Sequence, residues 1–123
     1  MRFMLDANTL ILLLDLNERV VFWASQCFEG DLCISAIAYA EVARGTVAGK
    51  APPQDLLDDA VATMPVVPFD QASAQIYARL PFRRHRFDRL IAAHALALDL
   101  TLVTANTRDF RGIPDLRIDD WTQ

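Results

Sequence analysis

The sequence predicts a three-layer α/β/α domain built on a central, mainly parallel sheet. Three observations carry that prediction. Short apolar or β-branched runs alternate with longer helical stretches from one end to the other. Breaks at Gly30–Asp31, Gly45 to Pro53 and Gly112–Pro114 punctuate the alternation, with no low-complexity segment, repeat or linker between them. A length of 123 residues suits one domain over 1–123, large enough for a real core.

Taken in order, Arg2 to Leu5 is a short apolar strand, followed by helices from about Asn8 to Leu16 and over Glu18 to Phe28. Leu32 to Ser35 is a second strand, leading into a helix through Tyr39 and Glu41 to about Gly45. Pro53 suits the first turn of a helix reaching Met64, because its missing N–H is unsatisfied there in any case. Val66 to Pro68 is extended and Gln71 to Leu80 helical. Asp88 to Leu98 is rich in alanine and leucine, the strongest helix formers. Thr101 to Thr104 is a β-branched strand, and Leu116 to Ile118 closes the chain as another. Alternating βα units imply right-handed crossovers and a parallel sheet covered on both faces.

The formal net charge is −4, so overall charge gives the chain no affinity for polyanions. The distribution is uneven. Between Arg79 and Arg111 lie seven of the 12 basic residues against three acids, Asp88, Asp99 and Asp109. Arginine suits bidentate phosphate contact, which makes this stretch a nucleic-acid hint, although a solvated helix face reads the same way. Cys27 and Cys33 have neither metal-ligand nor disulfide-framework spacing. With no signal-peptide pattern and no apolar run near the roughly 20 residues of a membrane span, a cytoplasmic location is expected.

Asp6, Glu41, Asp88 and Asp109 each fall where a predicted strand or helix begins or ends. In open parallel sheets ligands bind beyond the carboxyl ends of the strands. Asp6 follows the first strand, Glu41 lies in the helix after the second, and Asn106 and Asp109 follow the Thr101 to Thr104 strand. The sheet rule does not place Asp88. Each acid also has a structural use: Asp6 or Asn8 can cap a helix, as can Asp88, while Glu41 can pair with Arg44 and Asp109 can hold a turn. Glu41 fits that reading least well, since Ile37, Ala38, Tyr39, Ala40, Val42 and Ala43 around it are uncharged and an unpaired buried acid is costly. Oxygen donors suit Mg²⁺ or Mn²⁺, ions that serve phosphodiester hydrolysis. Phosphate-loop, HExxH, G-x-S-x-G and zinc-type patterns are missing.

The words FMLDANTLI, CISAIAYAEVARG and FDRLIAAHALALDLTLVTANTRDF, in this order, resemble a PIN-domain ribonuclease, and within that family the VapC-type toxin of toxin–antitoxin pairs. The resemblance implies that Asp6, Glu41 and Asp88 hold the metal, with Asn8, Ser35 and Thr104 as polar residues behind them. Many members carry aspartate where this chain has Asn106, so either Asp109 supplies the fourth carboxylate, with Asn106 beside it, or the site runs on three acids and holds metal more weakly. The compact LPFRRHRF segment makes Arg83, Arg84 and Arg86, together with Arg89 and Arg108, the expected RNA contacts. Asp99 and Asp115 occupy turns where the family often has glycine; aspartate tolerates positive φ, so the turns are expected to persist.

The family implies a Mg²⁺- or Mn²⁺-dependent endoribonuclease that leaves a 5′-phosphate on tRNA or rRNA. It also implies a homodimer, a cognate VapB-type antitoxin with an arginine among the carboxylates, and operator DNA bound only through that antitoxin. Phe22 and Trp23, or Phe69 and Tyr77, are candidates for an apolar docking surface, although helical spacing assigns such aromatics to the core. His94, on an alanine-rich helix, reads as a packing or surface residue. Asn106 keeps open a catalytically idle PIN-fold module that binds RNA or protein. A DNA flap nuclease is disfavoured by size, and an aspartyl-phosphate enzyme by the lack of a second aspartate after Asp6.

Overall fold

In the computed structural model, which describes residues 1–81 and 86–123, five parallel strands lie in the order β3-β2-β1-β4-β5. They are β1 Phe3–Leu5, β2 Leu32–Ser35, β3 Val66–Val67, β4 Thr101–Val103 and β5 Ile118–Asp119. The helices are α1 Ala7–Leu14, α2 Glu18–Ser25, α3 Ala36–Val47, α4 Gln54–Thr63, α5 Gln71–Arg79 and α6 Arg86–Ala97. This is the α/β/α arrangement the alternation predicts. Among the described residues no helix is long and apolar enough to cross a membrane.

The strands are short and apolar because both faces are covered. Met4, Leu5, Cys33, Ile34, Leu102 and Val103 are fully buried, and Leu10, Val20, Ala38, Val42, Leu57, Ile91 and Ala92 join them from the helices. Cys33 is the small buried hydrophobe expected of it, and burial pushes its thiol pKa up to about 11. Trp121 closes the chain against β1, edge-on to Phe3 with ring centroids 5.3 Å apart, and its indole N–H donates to Asp119.

Several boundaries differ from expectation, each for a local reason. Pro53 stands just before α4 rather than inside its first turn. α6 opens at Arg86, so Asp88 lies within its first turn and does not cap it. A 3-10 turn over Thr107–Phe110 follows β4 and is anchored by buried Phe110. The turns at Asp99 and Asp115 persist as expected, with φ of 55° and 65°.

α1 stops at Leu14 rather than Leu16, because Leu16 turns to φ 62° and the Asn17 N–H returns to the Leu12 carbonyl at 2.9 Å. Asn17 then caps α2 through Val20. A left-handed residue bearing a Cβ costs about 1–2 kcal/mol, and asparagine tolerates the conformation better than leucine. Leu16 is 75% exposed, so replacing it forfeits little packing. Leu16→Asn is therefore expected to add about 0.5–1 kcal/mol of stability and raise Tm by about 2–4 °C in thermal unfolding. A lowered Tm would count against strain at this position.

Candidate active site

Strand register sets the first part of the site. Leu5 pairs with Ile34 on one side and Val103 on the other, so Asp6, Ser35 and Thr104 each come one residue past the paired positions. All three are buried at the carboxyl edge of the sheet. The Asp6 carboxylate caps α1, accepting from the Thr9 N–H at 2.8 Å, while its own N–H donates to the Val103 carbonyl. Thr9 was not singled out from sequence. It is buried, and its hydroxyl donates to the same Val103 carbonyl at 3.1 Å, pinning the start of α1 to the end of β4. Ser35 caps α3 by accepting from the Ile37 N–H, and Thr104 accepts from the Asn106 N–H at 3.0 Å.

Glu41 is the residue that ties the acids together. Its pKa is raised, first by partial burial, then by the charge of Asp88, then by that of Asp6. Asp88 on α6 and Asp6 at the end of β1 thus both come near enough to Glu41 on α3 to disfavour its charged form. Asp88, which the sheet rule could not place, is delivered by the first turn of α6. Beside Glu41 a groove of about 470 Å³ is lined by Ile37, Ala40, Arg44 and Phe87, which confirms that the middle of α3 faces the start of α6. Among the described residues no three His, Cys, Asp or Glu side chains are gathered closely enough to form a ready metal cage. The donors fit a hard divalent cation in kind, being carboxylate oxygens. A cation beside Glu41 would favour its charged form, which burial and the neighbouring carboxylates disfavour.

The remaining predicted residues are distributed less simply. Asn8 is exposed on the first turn of α1. Asn106 is also exposed, and its amide donates to the Asp109 carboxylate within the 3-10 turn. Asp109 is thus engaged by its neighbour, and it is not among the charges acting on Glu41. Arg108 is exposed, as a phosphate contact requires. Arg89 is not: it is 5% exposed, with Nη1 lacking a hydrogen-bond partner among the described residues. The expectation that Arg89 lies on an RNA-facing surface is corrected accordingly, since α6 carries its side chain into a buried position. Arg83 and Arg84 lie outside the described residues, as does the side chain of Arg86.

One further assignment changes, and of the two readings of His94 the packing one holds. Phe22 and Trp23 pack edge-on against each other but are 53% and 42% exposed, so α2 presents them outward rather than to the core. His94 is buried, with Nδ1 2.9 Å from Ser35 Oγ and Phe69 packed edge-on against its ring. A signal for this was available: an imidazole among buried alanines needs a polar partner.

Because Glu41 has a raised pKa, its folded state holds a proton more tightly than the unfolded chain. The destabilisation is complete above the raised value and vanishes as pH falls below the ordinary glutamate range. Glu41→Gln removes it. For a carboxyl screened by solvent the expected gain at neutral pH is about 0.5 kcal/mol, or roughly 2 °C in Tm. The difference from wild type should shrink to nothing as unfolding is followed down toward acid pH in metal-free buffer. A pH-independent difference would mean that packing, not charge, separates the two proteins.

The fold and this carboxylate-lined edge define the class: the chain belongs to the PIN domain family, whose model matches residues 3–116. Its relatives narrow that class. It is 33% identical over 132 residues to the tRNA(fMet)-specific endonuclease VapC of Shigella flexneri, covering 99% of each chain. It is 31% identical over 136 residues to Ribonuclease VapC1 of Haemophilus influenzae, covering both chains fully. Among solved structures it is similar to a chain of VapBC2 from Rickettsia felis, bound to a promoter DNA fragment. The TM-score there is 0.84 at 25% identity, over 98% of this chain and 99% of that one. DNA-bound VapBC from Salmonella typhimurium gives 0.82 at 28% identity, over 98% of each chain.

Proposed function

We propose that this protein is a metal-dependent endoribonuclease toxin that hydrolyses phosphodiester bonds of cellular RNA, with tRNA or rRNA as the substrate class. The observation that carries the reading is the placement of Asp6 at the carboxyl edge of the parallel sheet, with Glu41 on α3 near enough to Asp6 and Asp88 for their charges to raise its pKa. Full-length similarity to VapC endonucleases supports it.

Asp6, Glu41 and Asp88 would hold Mg²⁺ or Mn²⁺, with Asp109 and Asn106 in reserve on the neighbouring turn. Such an ion supplies Lewis acidity to the phosphate and makes water a better nucleophile near neutral pH. The protein contributes the rest. Thr9 fixes Asp6 through its backbone N–H, Ser35 fixes the start of α3, and Thr104 fixes the approach to Asn106. Exposed Arg108 offers a bidentate donor to the RNA backbone, and the arginines of the 83–86 segment are proposed to do the same.

The partner is proposed to be a VapB-type antitoxin, since the similar solved structures are VapBC complexes, two of them bound to DNA. Phe22 and Trp23 on α2, and the groove floored by Ile37, Ala40 and Phe87, supply apolar surface for the antitoxin or for a second copy. A toxin homodimer and a heterotetramer or larger complex follow, acting in the cytoplasm, with operator DNA contacted through the antitoxin alone.

The test is cleavage of purified tRNA and of single-stranded DNA, with chelator and then added Mg²⁺. Cleavage of RNA that stops with chelator and returns with Mg²⁺ is the expected result. Mn²⁺ binding without any cleavage would favour the idle module that Asn106 keeps open, and preferential cutting of DNA would redirect the substrate assignment.

A further inference from the structure

One buried hydrogen bond joins the two helices that carry Glu41 and Asp88. Ser35 Oγ and His94 Nδ1 lie 2.9 Å apart, and both residues are sealed from solvent. Ser35 Oγ already accepts from the Ile37 N–H at the head of α3. A hydroxyl both donates and accepts, so this contact holds with either ring tautomer. Burial favours the neutral ring. The imidazole thus spans from α6 to the cap of α3.

The spacing gives this bond a consequence at the site. Glu41 stands six residues along α3 from Ser35, and Asp88 stands six residues back along α6 from His94. At about 1.5 Å of rise per residue, both offsets are about 9 Å. The two helices pack on each other. Ser35 meets His94 while Glu41 shares a groove with Phe87, so α3 and α6 run antiparallel here and Glu41 comes level with the first turn of α6. Halfway between, Ala38 on α3 and Ile91 on α6 are both buried. Much of the α6 face is alanine, at 92, 93 and 95, and such shallow ridges resist lengthwise sliding poorly. A directional polar contact is the better register device, the role for which buried polar groups are best attested.

We propose that His94 is a positioning residue: through Ser35 it sets the lengthwise register of α6 against α3 and so places Asp88 near Glu41. This rests on the metal-dependent reading above. A core histidine that merely fills space would leave the acids where they are; a register pin would not, because a metal site tolerates misplacement of only about 0.5 Å.

The test is Mn²⁺ binding by calorimetry, on proteins first shown to be folded by thermal unfolding. His94→Leu is expected to weaken Mn²⁺ binding about tenfold, as loss of supporting partners does elsewhere. His94→Asn, whose amide reaches the position of Nδ1, should recover most of it. Ser35→Ala removes the other end of the same bond and should lose at least as much as His94→Leu. Ser35→Ala also removes the α3 cap, so the double variant should lose no more than Ser35→Ala alone, the His94 contact being already gone. If His94→Leu does not fold, Ser35→Ala compared with His94→Asn carries the same comparison. A folded His94→Leu that binds Mn²⁺ as wild type does, or losses that add in the double variant, would overturn the proposal. Failure of wild type itself to bind Mn²⁺ would instead remove the metal reading, and this inference with it.

Discussion

Asp88→Asn is expected to reduce Mg²⁺-dependent RNA cleavage on the order of 10³-fold, which corresponds to about 4 kcal/mol of transition-state stabilisation. The substitution keeps size and shape but removes one of the two charges that act on Glu41. Thermal unfolding of the same variant separates a loss of chemistry from a loss of fold, and so a functional acid from a structural one. Asp6→Asn sharpens the comparison. Its amide oxygen can still accept from the Thr9 N–H, so the α1 cap survives while the charge is lost. Asp6→Ala would lose both, at an additional cost of about 1 kcal/mol in stability. Retained cleavage by folded Asp88→Asn, measured with purified RNA at saturating Mg²⁺, would contradict the assignment of that residue.

Phe110→Ala carries the largest expected effect on stability. The ring is 1% exposed and anchors the 3-10 turn, which packs against α6 and β5. Truncating a fully buried phenylalanine removes its transfer free energy and leaves a cavity, together about 3–5 kcal/mol. Against a total of 5–15 kcal/mol for a typical domain, Tm should fall by about 10 °C or more. The same turn carries Asn106 and Asp109, so the hydrogen bond between them should loosen as well. Denaturant unfolding checks the first effect. A loss under about 1 kcal/mol would mean that the neighbouring helix collapses into the space.

What could be read from the residues alone follows from local rules. Strand ends were legible because apolar β-branched runs stop at polar residues, and in a parallel sheet those stops share one edge. Asp6, Ser35 and Thr104 therefore fell into place from pattern and connectivity. The positive-φ turns at Asp99 and Asp115 were legible for a similar reason, since few side chains tolerate that backbone. Leu16 was missed because leucine gives no such warning. Arg89 was misplaced because charge patterning cannot say which side of a helix faces inward when the neighbouring residues are nearly all apolar. Phe22 and Trp23 were assigned toward the core by spacing, yet α2 lies at the periphery, and spacing does not distinguish an outer helix from an inner one.

The sequence by itself determined the layered architecture, the family and the candidacy of the acids, because these depend on periodicity and on short words read along the chain. Only the packed fold decides that Asp88 comes near enough to act on Glu41, that Arg89 is buried and that His94 meets Ser35. Those outcomes depend on how α6 lies against α3 and the sheet. Helix-against-helix register is set by side chains dozens of residues apart, packing and bonding in three dimensions, and no periodicity along a single segment encodes it.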